Sequence, residues 1–154
     1  MKTLAGAVAF LVVMVAIVLI AQGGGDDEST ETPTKPEVEV PSGPPPDELV
    51  VEDLEEGDGA EAQAGDTLTV HYVGVIYDSG EEFDSSYERG QPIDFVLGTG
   101  GVIPGWDQGL EGMKEGGRRQ LVIPPDLAYG KAGDPPDIPP DATLIFVIDL
   151  ISVN

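Results

Sequence analysis

The chain has 154 residues, enough for one domain with appendages, and carries 29 acidic against 7 basic residues for a formal net charge of -22. A field of that sign repels a phosphate backbone, which excludes nucleic acid as a partner. Cysteine is absent, so disulfides, thiolate metal sites and cysteine nucleophiles are excluded as well.

After Met1-Lys2-Thr3 the run Leu4 to Ala21 contains no charge and no proline. As a helix it would span roughly 27 Å at ~1.5 Å per residue, close to the thickness of a bilayer core. Lys2 before it and Asp26-Asp27-Glu28 after it favour a cytoplasmic N-terminus and an exported remainder. Residues 1–21 therefore read as a signal anchor or, if Leu19-Ile20-Ala21 is cut, as a signal peptide. The location expected is extracytoplasmic, membrane-anchored or secreted accordingly. Residues 22–46 are acidic, Gly/Pro-rich and without periodicity, and they read as a disordered tether.

A folded domain is expected over 47–154. Leu49 to Leu54 reads as a strand closed by Gly57-Asp58-Gly59, and Thr67 to Tyr77 as a half-buried strand in which Leu68, Val70 and Tyr72 share one face. Asp78-Ser79-Gly80 turns the chain back along Glu81 to Ser86. Ile93 to Leu97 alternates again. Trp106, Leu110 and Met113 recur at i, i+4 and i+7, which predicts a helix of about three turns lying on the sheet, opened by Pro104-Gly105 and ended by Gly116-Gly117. Arg118 to Ile123 is a strand stopped by Pro124-Pro125, a long loop covers 126–141, and Thr143 to Val153 has the apolar continuity of a central strand. The expected class is α+β: five or so antiparallel strands curled around one short α-helix.

Several chemistries fail on their residues. Gly98-Thr99-Gly100-Gly101 lacks the Lys-Ser/Thr ending of a phosphate loop, and Asp107 stands where the anion would bind. His71 has no Ser or Cys partner at a recognisable spacing. Asp78, Glu81, Glu82 and Asp84 lack the ligand order of a calcium loop, so no metal is expected. What remains is an apolar set with few polar tips: Tyr72, Phe83, Val102, Ile103, Trp106, Tyr129, Ile138 and Phe146. Tyr129 and Ile138 occupy a loop that ought to be wet, and a shallow apolar pocket accounts for them better than a core does.

His71-Tyr72-Val73-Gly74, Phe83-Asp84-Ser85-Ser86, Val102-Ile103-Pro104-Gly105-Trp106, Leu127-Ala128-Tyr129-Gly130 and Ile138 to Phe146 together resemble the successive signatures of the FKBP-type peptidyl-prolyl cis-trans isomerases. The match runs from about Leu49 to Val153. The resemblance implies a five-stranded antiparallel sheet around a short helix, with a proline-binding pocket between them. It implies Trp106 as floor, and Tyr72, Phe83, Val102, Ile103 and Phe146 as walls. Asp84 and Tyr129 become the polar tips, with Arg89 orienting Asp84. Asp84, Tyr129, Trp106 and Phe83 are then the catalytic set, and Ile93 and Ile138 join the substrate-binding residues. The implied activity is rotation about X–Pro bonds in exported polypeptides, aiding their folding, with no cofactor and with the domain a monomer. Macrolides of the rapamycin type are further implied ligands. Ile93 replaces a common aromatic and Asp137 a common apolar residue, so weaker macrolide binding is expected. A rival reading, from the binding class, is a scaffold that grips proline segments without turnover.

Overall fold

The structure, a computed structural model, describes residues 33–154. The expected helix over 4–21 lies outside the described residues. Among those that are described, no helix is long and apolar enough to cross a membrane. The elements in chain order are β1 (Val50–Glu55), β2 (Thr67–Ile76), β3 (Glu82–Ser85), α1 (Ser86–Arg89), β4 (Ile93–Val96), α2 (Pro104–Gly109), β5 (Arg118–Ile123), a single 3₁₀ turn (Pro125–Leu127) and β6 (Leu144–Val153).

All strand pairs are antiparallel, in the order β1-β5-β6-β2-β3, with β4 also on β2. The sheet therefore has six strands, where five were expected. The difference has a geometric origin. β4 pairs with Thr67 to Val70 and β3 with Val73 to Val75, so two short strands share the same edge of β2. β6 lies between β5 and β2, the central place its apolar run predicts.

One face of the sheet carries Leu68, Val70, Tyr72, Leu121, Ile123, Phe146 and Ile148, and Trp106, Leu110 and Met113 pack into the same buried cluster. Helix α2 is shorter than predicted, ending at Gly109, with Gly112 at φ 87° just beyond. Met113 still reaches the core, but through a turn in which its N–H donates to the Leu110 carbonyl at 3.1 Å. The apolar spacing marked burial correctly, and glycine cut the helix short. A second short helix, α1, is capped by the Ser85 hydroxyl, which accepts from the Tyr87 N–H at 3.1 Å; the one-helix expectation missed it because four residues carry no periodicity.

Glycine lets α2 lie close to the sheet. A Cβ on Gly105 would fall 2.5 Å from Ile123 Cγ2, and one on Gly109 would fall 2.8 Å from Leu121 Cδ2. Arg119, buried in β5, donates from Nη1 to the Gly109 carbonyl at 2.9 Å and from Nε to Asp53 at 2.7 Å. A cation thus stands at the helix C-terminus, where the backbone dipole favours one.

The opposite face has its own apolar cluster of Val73, Val75, Tyr77, Val122 and Ile145. Residues 33–46, expected to be part of a disordered tether, form no helix or strand but run as a strap against this face. Val38 packs on the cluster, the Tyr77 hydroxyl donates to the Gly43 and Pro44 carbonyls at 3.2 Å, and Lys35 pairs with Glu82 and Glu88. Composition alone hides this, because a single valine and a single lysine supply the side-chain anchors.

Candidate active site

Strand β2 presents Tyr72 inward beside Trp106 from α2 and Phe146 from β6, and β3 adds Phe83 at the edge. The Trp106 indole meets Tyr72 at 5.1 Å between centroids with planes at 80°, and Phe146 at 5.2 Å and 87°. Phe83 stands against Phe146 at 5.6 Å and 86°. These edge-to-face contacts place positive ring edges on negative ring faces and fix the rings as a cage. Trp106 is only 4% exposed, and a pocket of ≈200 Å³ opens over this cage.

The pocket is lined by Tyr72, Phe83, Asp84, Ile93, Gly101, Val102, Ile103, Trp106, Tyr129 and Phe146. The structure thus brings together nine of the eleven residues singled out in the sequence, and adds Gly101. Arg89 stands behind the wall, donating to Asp84 Oδ1 at 2.6 Å and to the Tyr72 hydroxyl at 2.8 Å. Ile138 is the exception. It is 3% exposed and packs in the core, because its backbone bridges to Asp134 in a tight loop, both N–H···O bonds being made. Asp137 beside it is exposed and does not line the pocket.

Two supporting residues were not among the site candidates. Phe95 backs the indole at 5.5 Å between centroids, and its alternation with Ile93 was the available signal. The Asp107 carboxylate accepts from the Gly98 and Gly100 N–H groups at 2.8 and 3.0 Å, tying down the loop that ends in Gly101, Val102 and Ile103. The glycine-rich loop before α2 therefore spends its donors on the protein's own anion, as Asp107 suggested.

The polar edge is one connected group. Tyr72 donates to Asp84 Oδ2 at 2.6 Å, and the Arg89 guanidinium lies 5.7 Å from the Tyr72 ring centroid. Burial raises the Tyr72 phenol pKa, and the bond to Asp84 raises it further. Burial acts to raise the Asp84 pKa too, but hydrogen bonds from Tyr72 and Arg89 and the guanidinium charge leave it below the usual carboxylate range. Tyr129, 39% exposed, has its phenol pKa raised by burial and then by Asp134 and Asp84. His71, away from the pocket, lies within 2.8 Å of the Ser86 hydroxyl and stacks on Tyr87, a satisfied strand residue.

A depression of ≈160 Å³ elsewhere is lined by Asp53, Glu55, Glu56, Lys114 and Arg119 and has no aromatic floor. The aromatic pocket, by contrast, offers an indole floor, walls of aromatic and aliphatic side chains, and a single carboxylate with two tyrosine hydroxyls as its polar groups. A domain built this way has room for a compact apolar ring.

Comparison with known proteins gives that class its family. The model for the FKBP-type peptidyl-prolyl cis-trans isomerase family matches residues 59–151. The FK506-binding protein of Streptomyces anulatus is 58% identical over 120 residues, covering 77% of this chain and 97% of its own. FkpA of Escherichia coli, an FKBP-type peptidyl-prolyl cis-trans isomerase, is 51% identical over 106 residues, which are 69% of this chain and 38% of FkpA. Among solved structures, AtFKBP13 superposes with a TM-score of 0.65 at 43% identity, covering 69% of this chain and 93% of the other. FkpA from Escherichia coli does so with 0.63 at 50% identity, covering 69% and 48%. The chain belongs to the FKBP-type peptidyl-prolyl cis-trans isomerases.

Proposed function

We propose that the domain accelerates X–Pro rotation in exported polypeptides by desolvating the bond, and so assists their folding. The uncatalysed barrier is ~18–20 kcal/mol, and a fall of roughly 7 kcal/mol gives about five orders of magnitude in rate. The planar amide is more charge-separated than the twisted one. A water-poor pocket therefore destabilises the starting state relative to the transition state, with no bond made to the enzyme. The observation that carries this reading is the buried indole under an open pocket lined mainly by aromatic and aliphatic side chains, with its polar groups gathered at Asp84 and the tyrosine hydroxyls.

In this reading the prolyl ring rests on Trp106 between Tyr72, Phe83, Val102, Ile103 and Phe146, with Ile93 at the margin. The Tyr129 hydroxyl and the Ile103 N–H hold the substrate carbonyl while the ring turns. Asp84, oriented by Arg89 and Tyr72, polarises the mouth. A macrolide of the rapamycin type would compete for the same space; the Streptomyces relative is named an FK506-binding protein. The uncharged run 4–21 supports export, and sequencing the mature N-terminus decides between anchor and cleaved signal.

The deciding experiment is a proline-peptide isomerisation assay on the full chain in H₂O and D₂O. Catalysis with the same kcat/KM in both solvents is expected. Peptide binding without acceleration would establish the scaffold reading instead, and a large solvent isotope effect would sink the desolvation mechanism.

A further inference from the structure

The strap places one cation where a tether has no need of one. Lys35 Nζ lies 3.0 Å from Glu82 Oε1 and 2.6 Å from Glu88 Oε2, so a single ammonium joins β3 to α1. Those two elements carry the polar edge of the pocket. Glu82 adjoins Phe83 and Asp84, and Glu88 adjoins Arg89. The 2.6 Å Asp84–Arg89 pair spans the same reversal of the chain that Lys35 bridges.

Exposed ion pairs usually contribute little, because ordering two long side chains offsets the Coulombic gain. Here the backbone on both sides of Lys35 is already held. The Thr34 carbonyl accepts from Arg118 Nη2 at 2.8 Å, and Arg118 is itself fixed to Asp149 at 2.6 Å. Three residues on, Val38 packs against the apolar cluster on the back of the sheet. The lysine stem is thus delivered in register, and one ordering cost serves two carboxylates.

From this geometry we infer that Lys35 is a positioning residue for the isomerase site, setting the spacing of β3 and α1 from the back of the sheet, and that the strap 33–46 is part of the working domain. The inference rests on the functional reading above. Lys35 does not line the pocket, and its ion pairs are to Glu82 and Glu88, so in this proposal it acts through the Asp84–Arg89–Tyr72 group.

The test compares the full chain with its Lys35→Ala and Lys35→Arg variants in peptide isomerisation, alongside denaturant unfolding. Lys35→Ala is expected to lose roughly two- to fivefold in kcat/KM, the range that exposed pair energies convert to. The loss should fall mainly on KM, since the mouth meets planar and twisted amides alike. Lys35→Arg should restore the activity, and the unfolding midpoint should stay near that of the unaltered chain. Added sodium chloride should lower the activity of the unaltered chain toward that of Lys35→Ala, and leave the variant nearly unchanged. Equal activity in Lys35→Ala and the unaltered chain would overturn the positioning role alone. So would a loss that Lys35→Arg fails to repair, or one that tracks a fall in unfolding midpoint. Absence of turnover in the unaltered chain would instead overturn the functional reading beneath it.

Discussion

Tyr72 stands edge-on to the Trp106 indole, with centroids 5.1 Å apart, while its hydroxyl donates to Asp84 at 2.6 Å. One side chain thus joins the apolar floor to the charged mouth. Tyr72→Phe keeps the ring contact and removes the link. The Asp84–Arg89 pair, half exposed, then loses its buried tie. The expected result is a severalfold loss in kcat/KM and about 1 kcal/mol in stability. An unchanged kcat/KM would mean that the orientation of Asp84 does not matter to turnover.

Asp84 and His71 set how the domain responds to acid. Asp84 stays ionised well into the acid range, because the Tyr72 and Arg89 hydrogen bonds outweigh the effect of burial. Its contribution to stability is complete above the unfolded carboxylate pKa and is lost only as pH falls through its lower folded value. His71 shifts in the same direction for a different reason: burial lowers its pKa, partly opposed by Asp149. The unfolded chain therefore takes up this proton first, and the share of stability due to His71 declines as pH drops below 6.5, levelling off once the folded ring titrates. Turnover per folded molecule should stay flat from neutral pH to about pH 5. The sole imidazole should titrate below its ordinary value by NMR, and a bell-shaped rate profile near neutrality would contradict the scheme.

Floor and tip are separable by substitution. Trp106→Leu is expected to reduce kcat/KM at least tenfold or so, as a misplaced ring loses its fixed environment, and to cost about 2–4 kcal/mol of stability. Tyr129 is the most exposed of the lining aromatics, so Tyr129→Phe should leave the unfolding midpoint unchanged and cost roughly two- to tenfold in rate, the worth of one hydrogen bond. If Tyr129→Phe proved the more damaging in rate, hydrogen bonding and not desolvation would be the main source of catalysis.

Period-two alternation pointed to the strands, and an apolar set that included Tyr129 in a loop expected to be wet pointed to a pocket, because both depend on local residue type. Joint placement was harder to read. Nothing near Ile138 in the chain says that a bridge to Asp134 turns it into the core, and nothing near Arg119 says that it meets Gly109. The strap was not legible for a related reason. Its anchors are one valine and one lysine among acids, prolines and glycines; the valine packs on a cluster drawn from β2, β5 and β6, and the carboxylates that meet the lysine lie on β3 and α1, the farther 53 residues along the chain.

Arg119 tests whether the end of α2 matters to the indole at its start. Its guanidinium bridges Asp53 and the Gly109 and Glu111 carbonyls. Arg119→Leu removes that cap and should cost about 1–3 kcal/mol, moderated because Asp53 is part-exposed and recovers water. Arg119→Lys should rescue only part of this, since an ammonium lacks the planar fork. As Trp106 is the only tryptophan, a shift in its emission would report the helix loosening, whereas unchanged emission and activity would confine Arg119 to stability.

Gly74 sits opposite Phe146 in the β2–β6 register. A Cβ there would lie 2.7 Å from both Phe146 Cε1 and Phe83 Cζ, so the residue is glycine for closeness and not for an unusual backbone angle. Those rings are two walls of the pocket, and each is braced by edge-to-face contacts that leave it little room to retreat. Gly74→Ala should therefore overpack the wall, costing about 1–3 kcal/mol and lowering kcat/KM. Phe83→Leu in the same chain frees space on one side. Recovery of stability in the double variant, beyond the sum of the singles, would locate the clash between Gly74 and Phe83. Purely additive effects would mean that the sheet relaxes instead and that the aromatic wall does not set the limit.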